Sequence, residues 1–312
     1  MTQVADLPVD ATAAGPGEIH AVGDAGSGAG MAPGTGDADS DEMRVVDAAD
    51  PAGSRRWDEL WEARELAWVL TVRSVRLRYR HTLLGVLWAV LQPLAAVAVL
   101  SLVLGRLVGV PSGDRPYPLF ALAGFVPWAF VSRAVSQAAF ALVEHRALLV
   151  KVWFPRLVLL AVPVLAGGVD FLLSLAAVIA VVWAWGFPPS PALLALPLML
   201  ALAALLVFAV AFPLAVWCAR WPDVRLLLPW LLQGWFLISP IAYPAALVPG
   251  EWRPLYDLNP LAALVEGFRW CLLGSAEPTT AAAWVSAAGV AALLVAGFRR
   301  FRREESTLAD LL

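Results

Sequence analysis

The sequence is poor in lysine, and this scarcity excludes one kind of nucleotide site. Its single lysine, Lys151, lies in a segment without glycine. A phosphate-binding loop of the form GxxxxGK[ST] needs glycines before its lysine, so the chain cannot form one. Any work driven by ATP would therefore need a separate subunit.

Histidine and cysteine are also scarce, and their positions exclude metal and disulfide chemistry. The three histidines, His20, His81 and His145, are too scattered to give metal-ligand spacing. Cys218 and Cys271 belong to no CxxC pair. We predict no metal site, and we expect both cysteines to be buried structural thiols.

Charge is low and unevenly distributed. Only 15% of the 312 residues are charged, 60% are hydrophobic and the mean hydropathy is +0.73. A soluble domain is about half apolar and roughly a quarter charged, so this composition is typical of a membrane protein. Ten acids and one arginine give residues 1–50 a formal charge of −9, which leaves +6 for the rest. Residues 1–53 are rich in glycine and lack aromatics, so they are predicted to be a disordered acidic tail preceding a membrane domain at 54–312.

Long stretches without charge predict membrane spans, each of which needs about 20 mostly apolar residues. The longest stretch is broken by prolines between Gly186 and Pro191, which cannot continue a helix. We predict six spanning helices, at about 83–105, 117–142, 157–185, 192–217, 226–244 and 279–298.

Basic residues predict the orientation of these helices. Sixteen of them would lie on one side of the membrane, including the arginines between 55 and 80 and those between 299 and 303. Four would lie on the other side, at Arg106, Arg115, Arg253 and Arg269. The excess places both termini in the cytoplasm.

The segment that begins at Trp57 predicts an amphipathic helix. On a helical wheel Trp57, Leu60, Trp61 and Trp68 share one face, and acidic residues occupy the other. We interpret it as a helix at the membrane surface, because arginines and an apolar run follow at once. Packing against protein is the alternative.

Two charged residues lie within predicted spans. Asp170 is the one acid deep in a span. A carboxylate at that depth is either functional or a protonated or helix-paired structural group, for instance bonded to Ser174 one turn away. Arg133 lies in the second span, where it snorkels or pairs within the bundle, or else binds substrate. The residues alone leave both questions open.

Two connecting segments are too apolar to be ordinary loops. Residues 144–156 carry Leu148 and Trp153 on the cytoplasmic side. This segment either docks to a partner protein or continues a neighbouring helix. Residues 244–277 on the outer side are proline-rich and too short to span. They are predicted to form re-entrant helices shielded by protein.

Several short motifs, in order along the chain, resemble the ABC-2 type permeases that export polysaccharides and teichoic acids. The resemblance covers roughly Trp57 to the C-terminus. The motifs are Arg78-Tyr79-Arg80, Leu84–Trp88, Leu91–Pro93, Pro116–Pro118, Pro127-Trp128, Lys151–Arg156, Asp223–Arg225, Ser239–Ile241, Tyr243-Pro244 and Asn259-Pro260.

The resemblance implies an all-α integral membrane protein with six transmembrane helices, an N-terminal amphipathic interface helix and re-entrant helices between the fifth and sixth. It also implies a homodimer whose subunits each bind a cytoplasmic ABC ATPase, with ATP and Mg bound by the ATPase and no cofactor bound by this chain. The segment after the second span would be the coupling helix that receives the motion of the ATPase. Its residues are Glu144, His145, Arg146, Leu148, Lys151, Trp153, Phe154 and Pro155.

The resemblance further implies that helices one and five line a glycan channel, where aromatic faces and amides contact sugars. Anchoring at the lipid interface is the alternative for these side chains. The candidate lining residues are Trp88, Gln92, Trp230, Gln233, Trp235 and Phe236.

The leading hypothesis is therefore a permease that exports a lipid-linked polysaccharide, such as an O-antigen, teichoic acid or galactan, across a bacterial cytoplasmic membrane. No nucleic-acid partner is expected. A multispanning glycosyltransferase acting on polyprenyl-linked sugars and an ABC-2 permease for a drug or lipid are the alternatives.

Overall fold

A computed structural model describes residues 55–80, 85–146, 156–188, 190–275 and 280–304, and the regular structure in these ranges is helical. The all-α prediction is confirmed for this part of the chain. The predicted disordered tail lies outside the described residues. The helices are α1 Arg55–Tyr79, α2 Leu87–Leu100, α3 Tyr117–Glu144, α4 Leu157–Ala184, α5 Leu196–Arg220, α6 Pro222–Ile238, α7 Arg253–Asp257, α8 Pro260–Leu273 and α9 Thr280–Glu304.

Five helical stretches in the described residues are long and apolar enough to cross a membrane. These stretches correspond to five of the six predicted spans, and most of their ends agree with the predicted ends to within a few residues. The last helix runs past 298 to Glu304. The five stretches are Leu87–Val108, Tyr117–Glu144, Leu157–Ala184, Pro191–Arg220 and Trp284–Glu304.

The predicted helix at 226–244 is α6, which has different bounds. It begins at Pro222, where proline fits the first turn of a helix, and ends at Ile238 after 17 residues. Ser239 has extended backbone angles (φ −89°, ψ 148°), as expected before Pro240. The helix therefore ends six residues earlier than predicted.

The first span changes its helical form halfway along. After α2, residues Ser101–Val108 form a π-helix that ends at Gly109 in the left-handed region (φ 73°). A β-carbon at Gly105 would lie 2.9 Å from the Tyr117 ring on α3. This close approach requires glycine at position 105.

The core of the bundle is built around α3, which contacts α2, α4, α5, α6 and α8. Phe171 on α4 stacks on Phe130 of α3 at 4.7 Å between ring centroids and meets Phe268 of α8 edge-on at 5.6 Å. Cys218 and Cys271 are both buried free thiols, as predicted.

The amphipathic helix and the outer segment both pack on this core. The helix predicted from Trp57 is α1, which continues to Tyr79 and lies against α4, with Ala63 and Thr71 buried. Between α6 and α9 the chain forms two short 3-10 turns, α7 and the 14-residue α8. At 1.5 Å per residue α8 is about 21 Å long, which is shorter than a hydrocarbon core of about 30 Å.

Candidate functional site

A buried carboxylate joins α1 to the spanning helices. The Asp170 side chain on α4 is 7% exposed and forms an ion pair with Arg78 of α1. The hydroxyl of Tyr79 donates to the other carboxylate oxygen. Arg133 of α3 also faces the carboxylate, and its Nη1 lies 3.8 Å from Asp170 Oδ2. Two arginines around one carboxylate leave the group with a net positive charge.

Amides extend this group to a fourth helix. Arg133 Nη2 donates to Gln92 Oε1 of α2 at 2.7 Å, and Arg78 Nη2 donates to Gln137 Oε1 of α3 at 3.3 Å. Helices α1, α2, α3 and α4 are therefore connected by side chains around one acid. We call Arg78, Tyr79, Gln92, Arg133, Gln137 and Asp170 the Asp170 network.

Ser174 contributes differently from the sequence-based interpretation. Its hydroxyl lies 2.9 Å from the backbone carbonyl of Asp170 and 2.8 Å from that of Ala89 on α2. It therefore bonds to main-chain oxygens and not to the carboxylate. This contact gives α4 a second connection to α2, one turn from the acid.

A small cavity of about 30 Å³ lies beside the acid, lined in part by Pro93, Phe130, Arg133 and Asp170. This volume is sufficient for a water molecule, which needs polar partners as well as space. The carboxylate and the guanidinium supply such partners.

Tyr79 keeps its proton at physiological pH. Burial and the hydrogen bond to Asp170 raise the pKa of the phenol from 10 to about 12. Its hydroxyl therefore stays a donor to the carboxylate under cellular conditions. A neutral donor stabilises the charge on Asp170 without adding another charge.

The six candidate channel residues divide into two groups. Trp88, Gln92, Trp230 and Gln233 are exposed, Trp230 to 76%. The other two are half-buried against α3: Trp235 and Phe236 lie 6.0 and 5.7 Å from Trp128 between ring centroids.

Trp235 is also held by a polar contact. Its Nε1 donates to Asn259 Oδ1 at 3.0 Å. The same oxygen accepts the backbone N–H of Leu261 and so caps α8, while Asn259 Nδ2 donates to Ser239 Oγ at 2.9 Å. One asparagine thereby fixes the end of α6 to the start of α8.

The candidate coupling and interface residues are only partly described. Glu144 ends α3, and His145 and Arg146 follow it on the surface, with His145 Nδ1 3.0 Å from the Ala141 carbonyl. Leu148, Lys151, Trp153, Phe154 and Pro155 lie outside the described residues. Trp57, Leu60 and Trp61 belong to α1, although their side chains are not described, and Trp68 is 66% exposed.

Arg269 is a residue whose role the sequence did not reveal, because it counted there only as an outer basic residue. It lies on α8 and is 4% exposed. Its guanidinium donates to the backbone carbonyls of Ile241 at 2.7 Å and Phe120 at 3.4 Å, and covers the Phe120 ring at 3.6 Å. It thereby anchors the outer segment to α3.

Comparison with known proteins agrees with the sequence motifs. Residues 65–273 match the ABC-2 type transporter family. The chain is 30% identical to the O-antigen export system permease protein RfbA of Myxococcus xanthus over 234 residues, which are 73% of this chain and 89% of the relative.

More distant relatives have similar names. An O-antigen export permease RfbA of Klebsiella pneumoniae is 22% identical over 66% of this chain and 79% of its own length. The polysialic acid transport protein KpsM of Escherichia coli is 25% identical over 63% and 77%. All three names describe export or transport proteins.

The relatives and the apolar helices indicate a multi-pass protein of the cytoplasmic membrane. The matched region covers about two thirds of the chain and contains the whole Asp170 network. The chain belongs to the ABC-2 type transporter family.

Proposed function

We propose that the protein is the permease subunit of an ATP-driven exporter that moves a lipid-linked polysaccharide across the cytoplasmic membrane. The observation that carries this proposal is the exposure of Gln92 and Gln233, with Trp88 and Trp230, within apolar stretches of α2 and α6. An amide facing lipid would lose its hydrogen bonds. Facing a water-filled path, it would bind sugar hydroxyls.

The position of Arg133 also supports the assignment of this surface to the transport path. It is 39% exposed and lies against Gln92. A charged group open to hydrocarbon is costly, so charged residues in spans usually face a bundle interior or an aqueous cavity. The exposed side of Gln92 and Arg133 is therefore the wall of the path, which a second copy of the chain would complete as a homodimer.

The proposal includes six spans with both termini in the cytoplasm. With 17 residues α6 is at the lower limit for crossing the hydrocarbon core. It would then be the fifth span, and the outer segment with α7 and α8 would be re-entrant. The arginine distribution supports this orientation.

The energy for transport would come from a cytoplasmic ATPase that binds ATP and Mg, because this chain has no phosphate-binding loop. The segment around Leu148 and Trp153 would receive its motion. Movement of α1 would reach α4 through Arg78 and Tyr79. Through Ser174 and Arg133 it would then reach α2, which carries Gln92.

The direct test is reconstitution of the chain with its ATPase in inverted vesicles. We expect ATP-dependent uptake of a labelled lipid-linked polysaccharide and no uptake with an ATPase that cannot hydrolyse ATP. Purification as a lone monomer that recruits no ATPase would contradict the proposal, and so would sugar transfer by the chain alone.

The coupling segment has its own test. The double variant L148D/W153D should bind lipid and insert normally but lose most transport, because two carboxylates would replace the apolar contact with the ATPase. R303D places a carboxylate on the cytoplasmic end of another helix and is the matched control. Full transport by the double variant would overturn the assignment of this segment.

A further inference from the structure

A cavity of about 460 Å³ lies at the far end of the first span, beside the π-helix Ser101–Val108. The first turn of α3 and Trp185, which follows α4, form its other walls. Leu102, Arg106 and Trp185 are exposed, so the cavity is open at the surface of the protein. The proposed orientation puts this end of the span in the outer leaflet. We call this space the π-helix cavity.

The π-helix determines which side chains face this cavity. Its backbone bonds run from residue i to residue i+5, so residues five apart lie near one face, whereas in an α-helix they would diverge by about 140°. Ser101 and Arg106 are five apart, and both line the cavity. Gly105 has no side chain, and the Tyr117 ring packs against the helix there. The helical form of this segment thereby brings one hydroxyl and one guanidinium group to the same cavity.

Both polar groups lack a partner in the described part of the chain. The Ser101 hydroxyl is buried and makes no hydrogen bond there, and Arg106 forms no ion pair or hydrogen bond with the residues described. The Tyr117 hydroxyl, by contrast, donates to the Ala242 carbonyl at 2.7 Å. A buried hydroxyl without a partner costs free energy, and so does a charge near hydrocarbon. A ligand that brings an acceptor to each group would remove both costs.

The rest of the cavity is mainly apolar and follows the span. Ala98, Leu102 and Pro118 line it. Ala98 lies eight residues before Arg106, which is roughly 10 Å along the helix. Trp185 indicates the level of the membrane interface, where tryptophan is enriched. The cavity therefore runs from the interface into the hydrocarbon layer, and a soluble anion or a sugar would leave its apolar end unfilled.

We infer that the π-helix cavity binds an anionic phospholipid of the outer leaflet. Arg106 binds the phosphate, because the N–H groups of arginine form a fork that suits phosphate oxygens. The Ser101 hydroxyl donates to an ester carbonyl about one helical turn deeper, and an acyl chain lies against Ala98. A zwitterionic lipid brings its own cation, so it compensates the charge of Arg106 less well than phosphatidylglycerol does.

The test is photo-labelling of the purified full-length chain in nanodiscs of phosphatidylcholine. The probe is phosphatidylglycerol with a diazirine in its acyl chain, and mass spectrometry of peptides locates the label. We expect the label on the segment that contains Ala98 and Leu102. It should be displaced when unlabelled phosphatidylglycerol replaces part of the phosphatidylcholine, and it should remain when phosphatidylethanolamine replaces the same part.

Variants test the head and the tail of the lipid separately. R106Q should be labelled at least about tenfold less, because charge-assisted hydrogen bonds to phosphate are strong, and R253Q removes another exposed arginine as its control. A98W fills the apolar end of the cavity and should lose the label, whereas A95W places the same ring at an exposed position of α2 outside the cavity. Thermal unfolding identifies a misfolded variant. S101A removes only one hydroxyl and should reduce labelling about fivefold.

Several results would overturn the inference. Equal labelling of R106Q and the wild type would show that Arg106 does not bind the phosphate. Equal displacement by phosphatidylethanolamine and phosphatidylglycerol would show a surface that takes any lipid. Displacement by soluble glycerophosphoglycerol would show a site for a free anion. None of these measurements requires transport, so failure of the proposed function would leave the lipid site standing.

Discussion

At the scale of single residues, Asp170 is the most informative position, because three side chains from two other helices surround it. Removing one partner of a buried ion pair leaves the other charge uncompensated, which costs roughly 3 kcal/mol. We expect D170N and R78Q each to be destabilised by about this amount. The double variant D170N/R78Q should lose much less than the sum, and unfolding in detergent measures all three. Additive losses would show that the pair does not interact.

Tyr79 provides a pH test of the same network. Because its folded-state pKa is about 12 and its ordinary value is 10, the stabilisation is fully present below pH 10 and is lost as pH rises toward 12. Y79F should therefore be less stable than wild type by a constant amount, about 1 kcal/mol, up to about pH 9. The difference should shrink above pH 10. Urea unfolding at several pH values would show whether the difference instead varies between pH 6 and 9.

At the scale of helices, two glycines form a matched pair. A β-carbon at Gly124 on α3 would lie 2.8 Å from Arg269 Nη2 and 3.0 Å from the Ile241 carbonyl, whereas one at Gly168 on α4 meets nothing within 4 Å. We expect G124A to be destabilised by roughly 1 to 3 kcal/mol through displacement of Arg269. G168A should be neutral or slightly stabilised, because alanine favours a helix. Equal melting temperatures for the two variants would contradict the anchoring role of Arg269.

The helices could be predicted where the sequence features that define them lie within the helix itself or next to its ends. Charge-free stretches predicted five spans, and the prolines between Gly186 and Pro191 predicted the break between two of them. The start of α6 at Pro222 lies four residues before the predicted one. The end of α6 was misjudged, because hydropathy continues past Pro240 although the backbone there is extended. The partners of Asp170 could not be predicted from the sequence, since Arg78 lies 92 residues away along the chain and no periodic pattern links the two residues. Arg269 was missed for the same reason.

At the scale of the whole molecule, the proposed path predicts where water reaches. Cys218 and Cys271 are buried, so the natural chain gives a low background with a charged, water-soluble thiol reagent. In membranes we expect Q233C to react quickly, because a thiol must ionise in water to be nucleophilic. L205C is the control, since Leu205 is exposed on α5, a helix to which the proposal assigns no part of the path. Similar labelling of both positions, measured by mass shift, would contradict a water-filled path beside α6.

Arg269 has a consequence for stiffness. By bonding main-chain oxygens of Ile241 and Phe120, it connects the outer segment to α3. Helices α2 and α6 bury far fewer residues than α3. Segments with few buried contacts open at the lowest free energy. We therefore expect α2 and α6 to move more during a transport cycle than α3 and the outer segment do.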